Sequence, residues 1–422
     1  MKSMQKNNLP NVAVIGGGAA GLMAAGFAAA EGARVTVFEK NAKCARKVAI
    51  TGKGRCNLTN NCTTQEFLQN VTKNPRFLYA ALSALDPFAT MELFEELGVP
   101  LKTERGRRVF PVSDRAFDIV DALLRHAKAA TVVNQAVDSL SCTDGCIKGL
   151  YTLDGVFHPF DAVILATGGK SYPVTGSTGD GYRMASALGH TVTPLIPSLV
   201  PLTSKSKYCR DMQGLSLKNV GMQIRNRESG KVLFEDFGEM LFTHFGLSGP
   251  MVLSASAHLT GQDLSALCAV FDLKPALDEK TLDARLLSDF SKYANRDFIN
   301  ALHDLLPEKM IPVIVDLTKI DGRKKVNSIT KAERQTLLKA LKSFSIPLLG
   351  FRPIEEAIVT SGGISVKEVD PKTMMSKLIS NLFFAGEILD VDAYTGGYNL
   401  QIAFSTGALA GTYAARINGG II

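Results

Sequence analysis

Within the first forty residues, a glycine turn separates an apolar run from a segment of small residues typical of a closely packed helix. Residues 12–15 are apolar, Gly16-Gly17-Gly18-Ala19-Ala20-Gly21 follow, and a second apolar run at 35–38 ends at Glu39. This order of strand, turn, helix, strand and acidic residue is typical of a dinucleotide-binding βαβ unit. The sequence therefore predicts such a unit over residues 11–40.

Each part of the turn has a physical role in that unit. Gly16 permits the tight turn, Gly18 lets the backbone approach a pyrophosphate, and Gly21 lets the helix pack closely on the strand. Phosphates at the helix start would meet free N–H groups and the favourable end of the helix dipole. Glu39 ends the second strand, where its carboxylate can accept hydrogen bonds from the adenosine ribose hydroxyls.

Composition describes an ordinary globular chain and excludes several classes of protein. The 422 residues exceed what one hydrophobic core organises, so we expect two or three domains. The net charge of +7 is modest, Trp is absent, and no basic run is interleaved with aromatic residues. We therefore expect a small-molecule substrate and no nucleic-acid partner. No apolar stretch reaches the roughly 18–20 residues that span a bilayer, so we expect no membrane insertion.

The cysteines and the amino-terminal residues bear on location and on metals. Residues 1–10 are polar and lack the apolar core of a signal peptide. Seven cysteines, an odd number, favour reduced thiols and a cytoplasmic protein. No CxxC pair or zinc-type spacing of His and Cys occurs, so we expect no metal site and a packed rather than redox-active Cys56.

Changes along the chain predict a nucleotide-binding domain interrupted by an insert. Prolines at 194, 197 and 201 mark a boundary, after which short β-prone runs suggest a small antiparallel sheet or barrel. We expect an α/β fold with a discontinuous Rossmann-like domain and an inserted β-barrel-like domain that carries a small helical bundle. The predicted parts are 1–192 and 357–422 for the first domain, 193–277 and 344–356 for the insert, and 278–343 for the helical part.

Local patterns predict several further elements. Residues 43–62 are rich in Gly, Lys, Arg and Asn and predict a long loop. Amphipathic helices are expected near 75–97 and 115–129, and a start resembling a capping box is expected from Ser328 to Lys331.

Three predicted strands end in glycine motifs, and this number bears on which dinucleotide is bound. After the first motif come Thr167-Gly168-Gly169 and Gly386-Glu387. A nicotinamide dehydrogenase needs only the first motif, whereas a cofactor as long as FAD crosses all three strand ends. A helix that opens at residues 396–401 would aim its N–H groups at the flavin pyrimidine, where reduced flavin carries negative charge. We therefore expect FAD; the alternative is that the later glycines only end strands.

Longer motifs connect the chain to a known family. The segments at 47–60, 106–115, 168–181, 238–250 and 384–407 resemble those of the BaiN/YhiN-like bacterial FAD-dependent oxidoreductases, and the resemblance extends over residues 11–417. It implies non-covalent FAD bound by a domain built from both chain ends. The activities it implies are varied and include reduction of conjugated C=C bonds in bile-acid-like steroids and oxidation of a small aminoketone.

The resemblance also implies which residues contact FAD. With the loop residues that we add to it, the expected set is Gly16, Gly18, Ala19, Ala20, Gly21, Glu39, Lys40, Arg46, Thr51, Gly52, Val137 by its backbone, Thr167, Gly168, Gly386, Glu387, Asn399 and Leu400. This chain departs from the family loop where Ala45 precedes Arg46, Thr51 replaces a serine and Lys53 replaces a glycine. Because of these departures, no particular substrate carries over.

Three residues are candidates for catalysis. Arg55 could stabilise reduced flavin or a substrate carbonyl, or it could organise its own loop. His244 could face the active site from the insert, or it could be a hydrogen-bonded structural histidine. Tyr394 could donate a proton, and Tyr172 and Tyr398, which also adjoin glycine loops, are alternatives to it.

Three functions remain open from the sequence. In the leading hypothesis NAD(P)H reduces FAD, which passes hydride from N5 to the β-carbon of an enone while a side chain protonates the α-carbon. The second is an amine oxidase that acts on a small aminoketone and reduces oxygen to peroxide. The third is an FAD-binding protein with a role in RNA modification or as a partner protein. The sequence contains no second complete Rossmann unit for NAD(P)H, so the electron donor and the oligomeric state stay open.

Overall fold

The computed structural model describes residues 9–417. Within them the strands are β1 (Asn11–Ile15), β2 (Arg34–Phe38), β3 (Thr59–Asn60), β4 (Leu101–Glu104), β5 (Arg108–Pro111), β6 (Thr131–Val133), β7 (Val137–Thr143), β8 (Cys146–Thr152), β9 (Phe157–Pro159), β10 (Ala162–Leu165), β11 (Ile196–Ser198), β12 (Leu202–Thr203), β13 (Ser216–Asn226), β14 (Val232–Thr243), β15 (Gly246–Ser248), β16 (Leu267–Asp272), β17 (Phe344–Pro347), β18 (Gly350–Phe351), β19 (Val359–Ser361) and β20 (Leu382–Phe384). The α-helices are α1 (Ala19–Ala30), α2 (Arg46–Ile50), α3 (Thr64–Leu68), α4 (Tyr79–Ala84), α5 (Pro87–Glu96), α6 (Ala116–His126), α7 (Asp180–Ala187), α8 (Lys207–Asp211), α9 (Pro250–His258), α10 (Glu279–Lys292), α11 (Phe298–Ala301), α12 (Ile311–Thr318), α13 (Lys331–Lys342) and α14 (Tyr398–Ala414).

The described chain forms two compact units. The first unit contains the residues up to Ser198 and those from Ile354 onward, and the second contains Leu199–Pro353. The first unit is therefore discontinuous in sequence. No helix of the described residues is long and apolar enough to cross a membrane.

A five-stranded parallel sheet lies at the centre of the first unit. Its order is β20-β10-β1-β2-β6, and every neighbouring pair is parallel. The central strand β1 is almost wholly buried, as its unbroken apolar run predicts for a strand covered on both faces. Because all five strands run the same way, their carboxyl ends share one side of the sheet, which we call the carboxyl edge. The predicted Rossmann-type fold is confirmed.

Helices α1 and α14 pack side by side with very little space between their backbones. A Cβ atom on Gly407 would lie 2.5 Å from the carbonyl oxygen of Ala20, and one on Gly411 would lie 2.2 Å from that of Ala24. The contact pairs advance by four residues in each helix, from Gly407 and Ala20 to Gly411 and Ala24, so the two helices run in the same direction. Gly407 is the tenth residue of α14 and Ala20 is the second of α1, so at a rise of 1.5 Å per residue α14 starts about 12 Å before α1 along their common direction.

The second unit is built on a seven-stranded antiparallel sheet with the order β17-β16-β13-β14-β15-β12-β18. Laid flat, seven strands would separate the two end strands by about 29 Å. The end strands β17 and β18 are joined by only two residues, which limits the gap between Pro347 and Gly350 to about 11 Å. The sheet must therefore curl back toward itself, which confirms a barrel-like insert.

Helices α10 to α13 occupy the segment of the second unit for which helices are predicted. The expected cap at Ser328 to Lys331 is wrong by two residues. The capping box is formed by Thr330, whose hydroxyl accepts from the N–H of Glu333, and by the Glu333 carboxylate, which accepts from the N–H of Thr330. Glutamate at the third helical position provides the return bond that Lys331 cannot.

Two other local expectations are wrong. Residues 43–62 are not one long loop, because they contain α2, a 3-10 turn at Thr51–Gly54 and strand β3. The single helix expected near 75–97 is instead a 3-10 turn followed by α4 and α5. Pro87 causes the second break, since it lacks an N–H and fits best at the first position of a helix. Asp86 caps that helix by accepting from the N–H of Ala89.

Candidate functional site

The glycine turn after β1 lies at the centre of the carboxyl edge. Gly16 has a φ of +105°, and its N–H donates to the carbonyl of Phe38 at 2.8 Å. A Cβ at Gly16 would lie 2.5 Å from the carbonyl oxygen of Ala166, at the end of β10. Only glycine fits this position, because both the backbone conformation and the neighbouring strand exclude a side chain.

The next two glycines of the motif differ in what surrounds them. A Cβ at Gly21 would lie 1.8 Å from the carbonyl oxygen of Gly16, so the helix rests directly on the turn. A Cβ at Gly18 would meet nothing within 4 Å. Gly18 is the N-cap of α1 and makes no side-chain cap, so the first N–H groups of α1 face an open space. This space fits a phosphate-bearing ligand such as the pyrophosphate of FAD.

Glu39 is held against the glycine turn. Its side chain is only 8% exposed. One carboxylate oxygen accepts from the N–H of Gly17 at 2.9 Å, and the other accepts from the backbone N–H and the side-chain amide of Asn41. The oxygen that accepts from Gly17 keeps a lone pair for a further donor, such as a ribose hydroxyl. The side chain is thereby oriented before any ligand binds.

Lys40 and Arg46 lie close to Glu39, but their side chains are engaged with the protein. The Lys40 ammonium forms an ion pair with Asp180 at 2.6 Å and donates to the hydroxyl of Thr178. Arg46 donates to the side-chain oxygen of Asn41 at 2.7 Å. Both contacts organise the loops around the adenosine side of the expected site.

The strand end at Thr167 and Gly168 contributes its backbone rather than its side chain. Gly168 has a φ of +74°. The Thr167 hydroxyl is buried and has no hydrogen-bond partner among residues 9–417, and a Cβ at Gly181 would lie 2.0 Å from it. The hydroxyl therefore points into α7. Val137 begins β7, in a separate three-stranded sheet with the order β7-β8-β9, and pairs with Thr152.

Glu387 is the centre of a network that the sequence analysis missed. Its carboxylate forms an ion pair with Lys47 at 2.8 Å and accepts from the hydroxyl of Ser171 and the N–H of Thr360. Lys47 also donates to Ser171 at 2.7 Å. The network fixes the segment after β20 against α2. Lys47 and Ser171 lie within the motifs that carry the family resemblance, but Thr360 has no sequence signal.

The backbone beside this network comes close to α1. Gly386 has a φ of +79°, and a Cβ there would lie 2.7 Å from the Cβ of Ala20. The second and third glycine motifs are therefore brought to the same edge as the first. Ala19, the first residue of α1, is partly buried beside them.

The start of α14 is rigidly supported. Its N-cap, Gly397, has a φ of +99°, and a Cβ there would lie 2.3 Å from the carbonyl carbon of Thr59. The amide of Asn399 donates to the carbonyls of Ala393 and Tyr394 and accepts from the N–H of Ala393. Since this side chain is committed to the preceding loop, Asn399 and Leu400 would reach a ligand through their N–H groups.

Tyr394 lies in that preceding loop. It is partly buried, and its N–H donates to the carbonyl of Asn70 at 3.0 Å. Tyr394 packs against the hydrophobic core of the first unit, in the loop that precedes α14.

The loop that follows α2 has an unusual backbone. Gly52, Lys53, Gly54 and Cys56 all have a φ between +57° and +84°. Left-handed conformations cost energy for residues other than glycine and are concentrated at functional sites. Thr51, which begins the loop, donates its hydroxyl to the carbonyl of Val48 at 2.7 Å. Cys56 is fully buried, and burial raises the pKa of its thiol to about 12, so it is not a reactive thiolate.

Arg55 is surrounded by carboxylates. Its guanidinium donates to Glu104 and to Asp114, with ion-pair distances of 2.5 Å to each, and stacks over the ring of Phe110 at 4.2 Å. The hydrogen bonds to Glu104 and then to Asp114 raise the pKa of Arg55. These contacts favour the loop-organising role over direct contact with a substrate.

His244 belongs to the second unit. It lies in the turn between β14 and β15, with its ring 5.0 Å from that of Phe245. Its catalytic role stays a prediction. Among residues 9–417, no group of three or more His, Cys, Asp or Glu side chains could hold a metal ion.

Asp392 is a buried acid close to the start of α14. It is 3% exposed and accepts hydrogen bonds from the hydroxyls of Ser198, Ser361 and Thr72. Burial raises its pKa, and the hydroxyl bonds offset only part of that effect.

We expect Asp392→Asn to remove a pH dependence of stability. Because the pKa in the folded state lies above that in the unfolded chain, the folded state binds more protons in the window between them. The free energy of unfolding of the native protein, minus that of the variant, should therefore fall as pH rises from about 4 through the raised pKa. Urea unfolding at several pH values measures this difference.

Asp278→Asn is the control with the opposite sign. Asp278 caps α10, and its hydrogen bond from the N–H of Thr281 lowers its pKa. For this variant, the free energy of unfolding of the native protein minus that of the variant should rise with pH and reach a plateau above about pH 4. A slope of the same sign for both variants would contradict the assignment to Asp392.

Comparison with known proteins identifies the family. Residues 10–413 match the model of the HI0933-like protein Rossmann domain. The chain belongs to the HI0933-like family. With its Rossmann-type FAD-binding fold, it is a member of a family of FAD-dependent oxidoreductases.

Two relatives in this family and one solved structure extend the comparison. A 3-dehydro-bile acid delta(4,6)-reductase from Clostridium scindens is 32% identical over 96% of this chain and 99% of its own length. A ribosomal RNA dihydrouridine synthase from Escherichia coli is 29% identical over 93% and 95%. The structure of 3-ketosteroid-delta4-(5alpha)-dehydrogenase from Rhodococcus jostii RHA1 covers 98% of both chains with a TM-score of 0.52 and 15% identity, which shows a shared fold.

Proposed function

We propose that this protein is a FAD-dependent reductase of a C=C bond conjugated to a carbonyl group. The observation that carries the proposal is the pair of glycine-opened helices, α1 and α14, whose starts are offset by about 12 Å. One free helix start suits the pyrophosphate, and the other suits the pyrimidine edge of a flavin. Bound FAD supplies two-electron hydride chemistry.

The residues of the carboxyl edge would hold the cofactor in order along its length. Open space before Gly18, with the N–H groups of Ala19 and Ala20, would bind the pyrophosphate, and Glu39 would bind the ribose. The backbones of Val137, Thr167, Gly168, Gly386 and Glu387 would line the path between the ends. The other residues that we expect at the FAD site fall into two groups. Those that form or support the turns are Gly16, Gly21, Lys40, Arg46, Thr51 and Gly52. Those at the start of α14 are Asn399 and Leu400.

The protein groups near the start of α14 would then assist the reduction. The reaction adds a hydride equivalent to the β-carbon and a proton to the α-carbon, so two electrons must come from a donor, which we propose is NAD(P)H. Free N–H groups of α14 would stabilise negative charge. Tyr394, in the loop before α14, would supply the proton, while Arg55, held by two carboxylates, would keep the loop after α2 in position.

Both relatives support this class of reaction. The name of the first describes reduction of double bonds in a 3-dehydro bile acid. The name of the second describes formation of dihydrouridine, which is uridine reduced at a C=C bond conjugated to a carbonyl. A steroid-like enone is the first candidate substrate, and a uridine of RNA is the second.

The test is anaerobic and separates reduction from oxidation. The FAD-loaded protein is reduced with dithionite, and a 3-keto-4-ene steroid or a uridine-containing ribosomal RNA fragment is then added. We expect rapid reoxidation of the flavin by one of them, with a product two hydrogens heavier by mass spectrometry. Bleaching of oxidised flavin by aminoketones, peroxide on admission of air and no reoxidation by either acceptor would instead support the amine oxidase.

A further inference from the structure

We propose that the turn at residues 105–108, which we call the basic turn, is a subsite for the phosphate groups of a second nucleotide ligand. This inference rests on the proposed function, because it names the chemistry of a ligand that approaches the same site. Two sources share that chemistry, namely a pyridine dinucleotide that donates electrons and the backbone of an RNA substrate. The basic turn contains Arg105, Arg107 and Arg108, all of which are exposed.

The basic turn is attached directly to the start of α14. The side-chain amide of Asn60, which is 2% exposed, donates to the carbonyls of both Gly106 and Gly396 at 3.0 Å. Gly396 immediately precedes the N-cap of α14. A phosphate held by the basic turn would therefore lie next to the end of the site where the flavin pyrimidine is expected.

The backbone of the basic turn is fixed in an unusual conformation. Gly106 has a φ of +76° and Arg107 a φ of +57°. The turn closes the β4–β5 hairpin, in which Glu104 pairs with Arg108. The N–H of Asn61 also donates to the carbonyl of Arg107 at 2.7 Å. The backbone that carries the three arginines is thus already ordered, which reduces the entropy lost when they bind a ligand.

The carboxylates around the turn are already paired, two of them with cations outside the turn and one with Arg107. Glu104 and Asp114 are shared by Arg55 and Lys102. Glu66 pairs with Arg107 at 2.9 Å.

Two arginines of the turn keep their charge available. No carboxylate among residues 9–417 pairs with Arg105 or Arg108. Arg108 donates through Nε to the carbonyl of Arg105 and lies over the ring of Phe110 at 5.9 Å. Such guanidinium groups suit bidentate contact with phosphate oxygens.

The strained loop after α2 supplies a third available cation. Lys53 is exposed and has a φ of +59°. Its loop contacts the same aromatic ring as the basic turn, because Arg55 stacks on Phe110 and a Cβ at Gly52 would lie 3.6 Å from it.

The test measures binding by the FAD-loaded full-length protein, not activity. The double variant Arg105→Gln/Arg108→Gln is compared with Arg34→Gln/Lys128→Gln, two exposed cations at the amino end of β2 and after the end of α6. Calorimetry with NADP+ and NAD+, and fluorescence anisotropy with a uridine-containing single-stranded RNA, give the dissociation constants. Flavin content and thermal unfolding are checked for every variant.

We expect the first double variant to weaken binding of one of these ligands by about threefold to thirtyfold, and the control variant to leave it unchanged. For RNA, the slope of log K against log salt should also decrease by about 1.4. The ligand that responds identifies the source of the phosphate. Equal affinity of the first double variant and the native protein, or no binding of any probe by the native protein, would overturn the proposal. Reoxidation of dithionite-reduced protein by an acceptor would leave the proposed function standing in that case.

Discussion

Gly18→Val is expected to abolish FAD binding while lowering the stability of the apoprotein by no more than about 1 kcal/mol. Gly18 has φ −82° and ψ −167°, a conformation open to any residue, and a Cβ there meets nothing within 4 Å. The isopropyl group would instead occupy the space before the first N–H groups of α1. We expect the dissociation constant of FAD to rise at least about a hundredfold, equivalent to about 2.7 kcal/mol. Calorimetric titration of the apoprotein with FAD measures the change.

Gly21→Val is the matched comparison, since it places the same side chain three residues further along. Its Cβ would lie 1.8 Å from the carbonyl oxygen of Gly16, so the turn and the helix must separate. We expect a loss of at least about 3 kcal/mol in the free energy of unfolding. Gly18→Val should therefore act mainly on the affinity for FAD, whereas Gly21→Val should act mainly on the free energy of unfolding. A yellow Gly18→Val protein with native affinity for FAD would exclude the pyrophosphate from this helix start.

The sequence predicts the βαβ unit because its determinants are local. Residues 12–15, the glycine turn and residues 35–38 all lie within thirty positions, and their order alone defines strand, turn and helix. The same holds for the glycine-opened helix α14. Hydrophobic periodicity and turn residues are signals between positions close in sequence, so these elements can be predicted without knowledge of tertiary contacts.

Gly18 and Gly21 are the same residue type, so only their positions in the motif indicate that one faces open space and the other faces the backbone. Gly21 is required by a backbone atom of the same turn, whereas Gly18 is free of protein contacts. The network around Glu387 lies beyond sequence reasoning for another reason. Lys47 and Glu387 are 340 residues apart, and no local pattern indicates which cation will meet which carboxylate.

Arg55 illustrates how tertiary contacts change an interpretation. From the sequence, an arginine beside the expected flavin is open to a catalytic or an organising role. Glu104 and Asp114, brought close by the β4–β5 hairpin and the turn after it, now occupy its donors. The break at Pro87 is the opposite case, because proline is a local signal that periodicity alone had concealed.

Gly411→Ala is expected to destabilise the protein, although helix propensity alone predicts the reverse. In an isolated helix, alanine is more favourable than glycine by about 1 kcal/mol. Here the new Cβ would lie 2.2 Å from the carbonyl oxygen of Ala24 and 2.9 Å from its carbonyl carbon, both backbone atoms of α1. Overpacking of this kind costs typically 1–3 kcal/mol or more. Because the atoms met are backbone atoms, we expect the upper part of that range, about 2–3 kcal/mol, and hence a net loss of about 1–2 kcal/mol in urea unfolding of the apoprotein.

Thr412→Ala provides the control, because it raises helix propensity at the next, partly buried position of α14. It should be neutral or stabilising. Since Gly411 sets the separation of α1 and α14, its variant should also displace the two helix starts relative to each other and weaken FAD binding beyond the loss in stability. A stabilised Gly411→Ala protein with native FAD affinity would mean that the two helices can separate freely. The offset of their starts would then no longer explain how one cofactor is held at both ends.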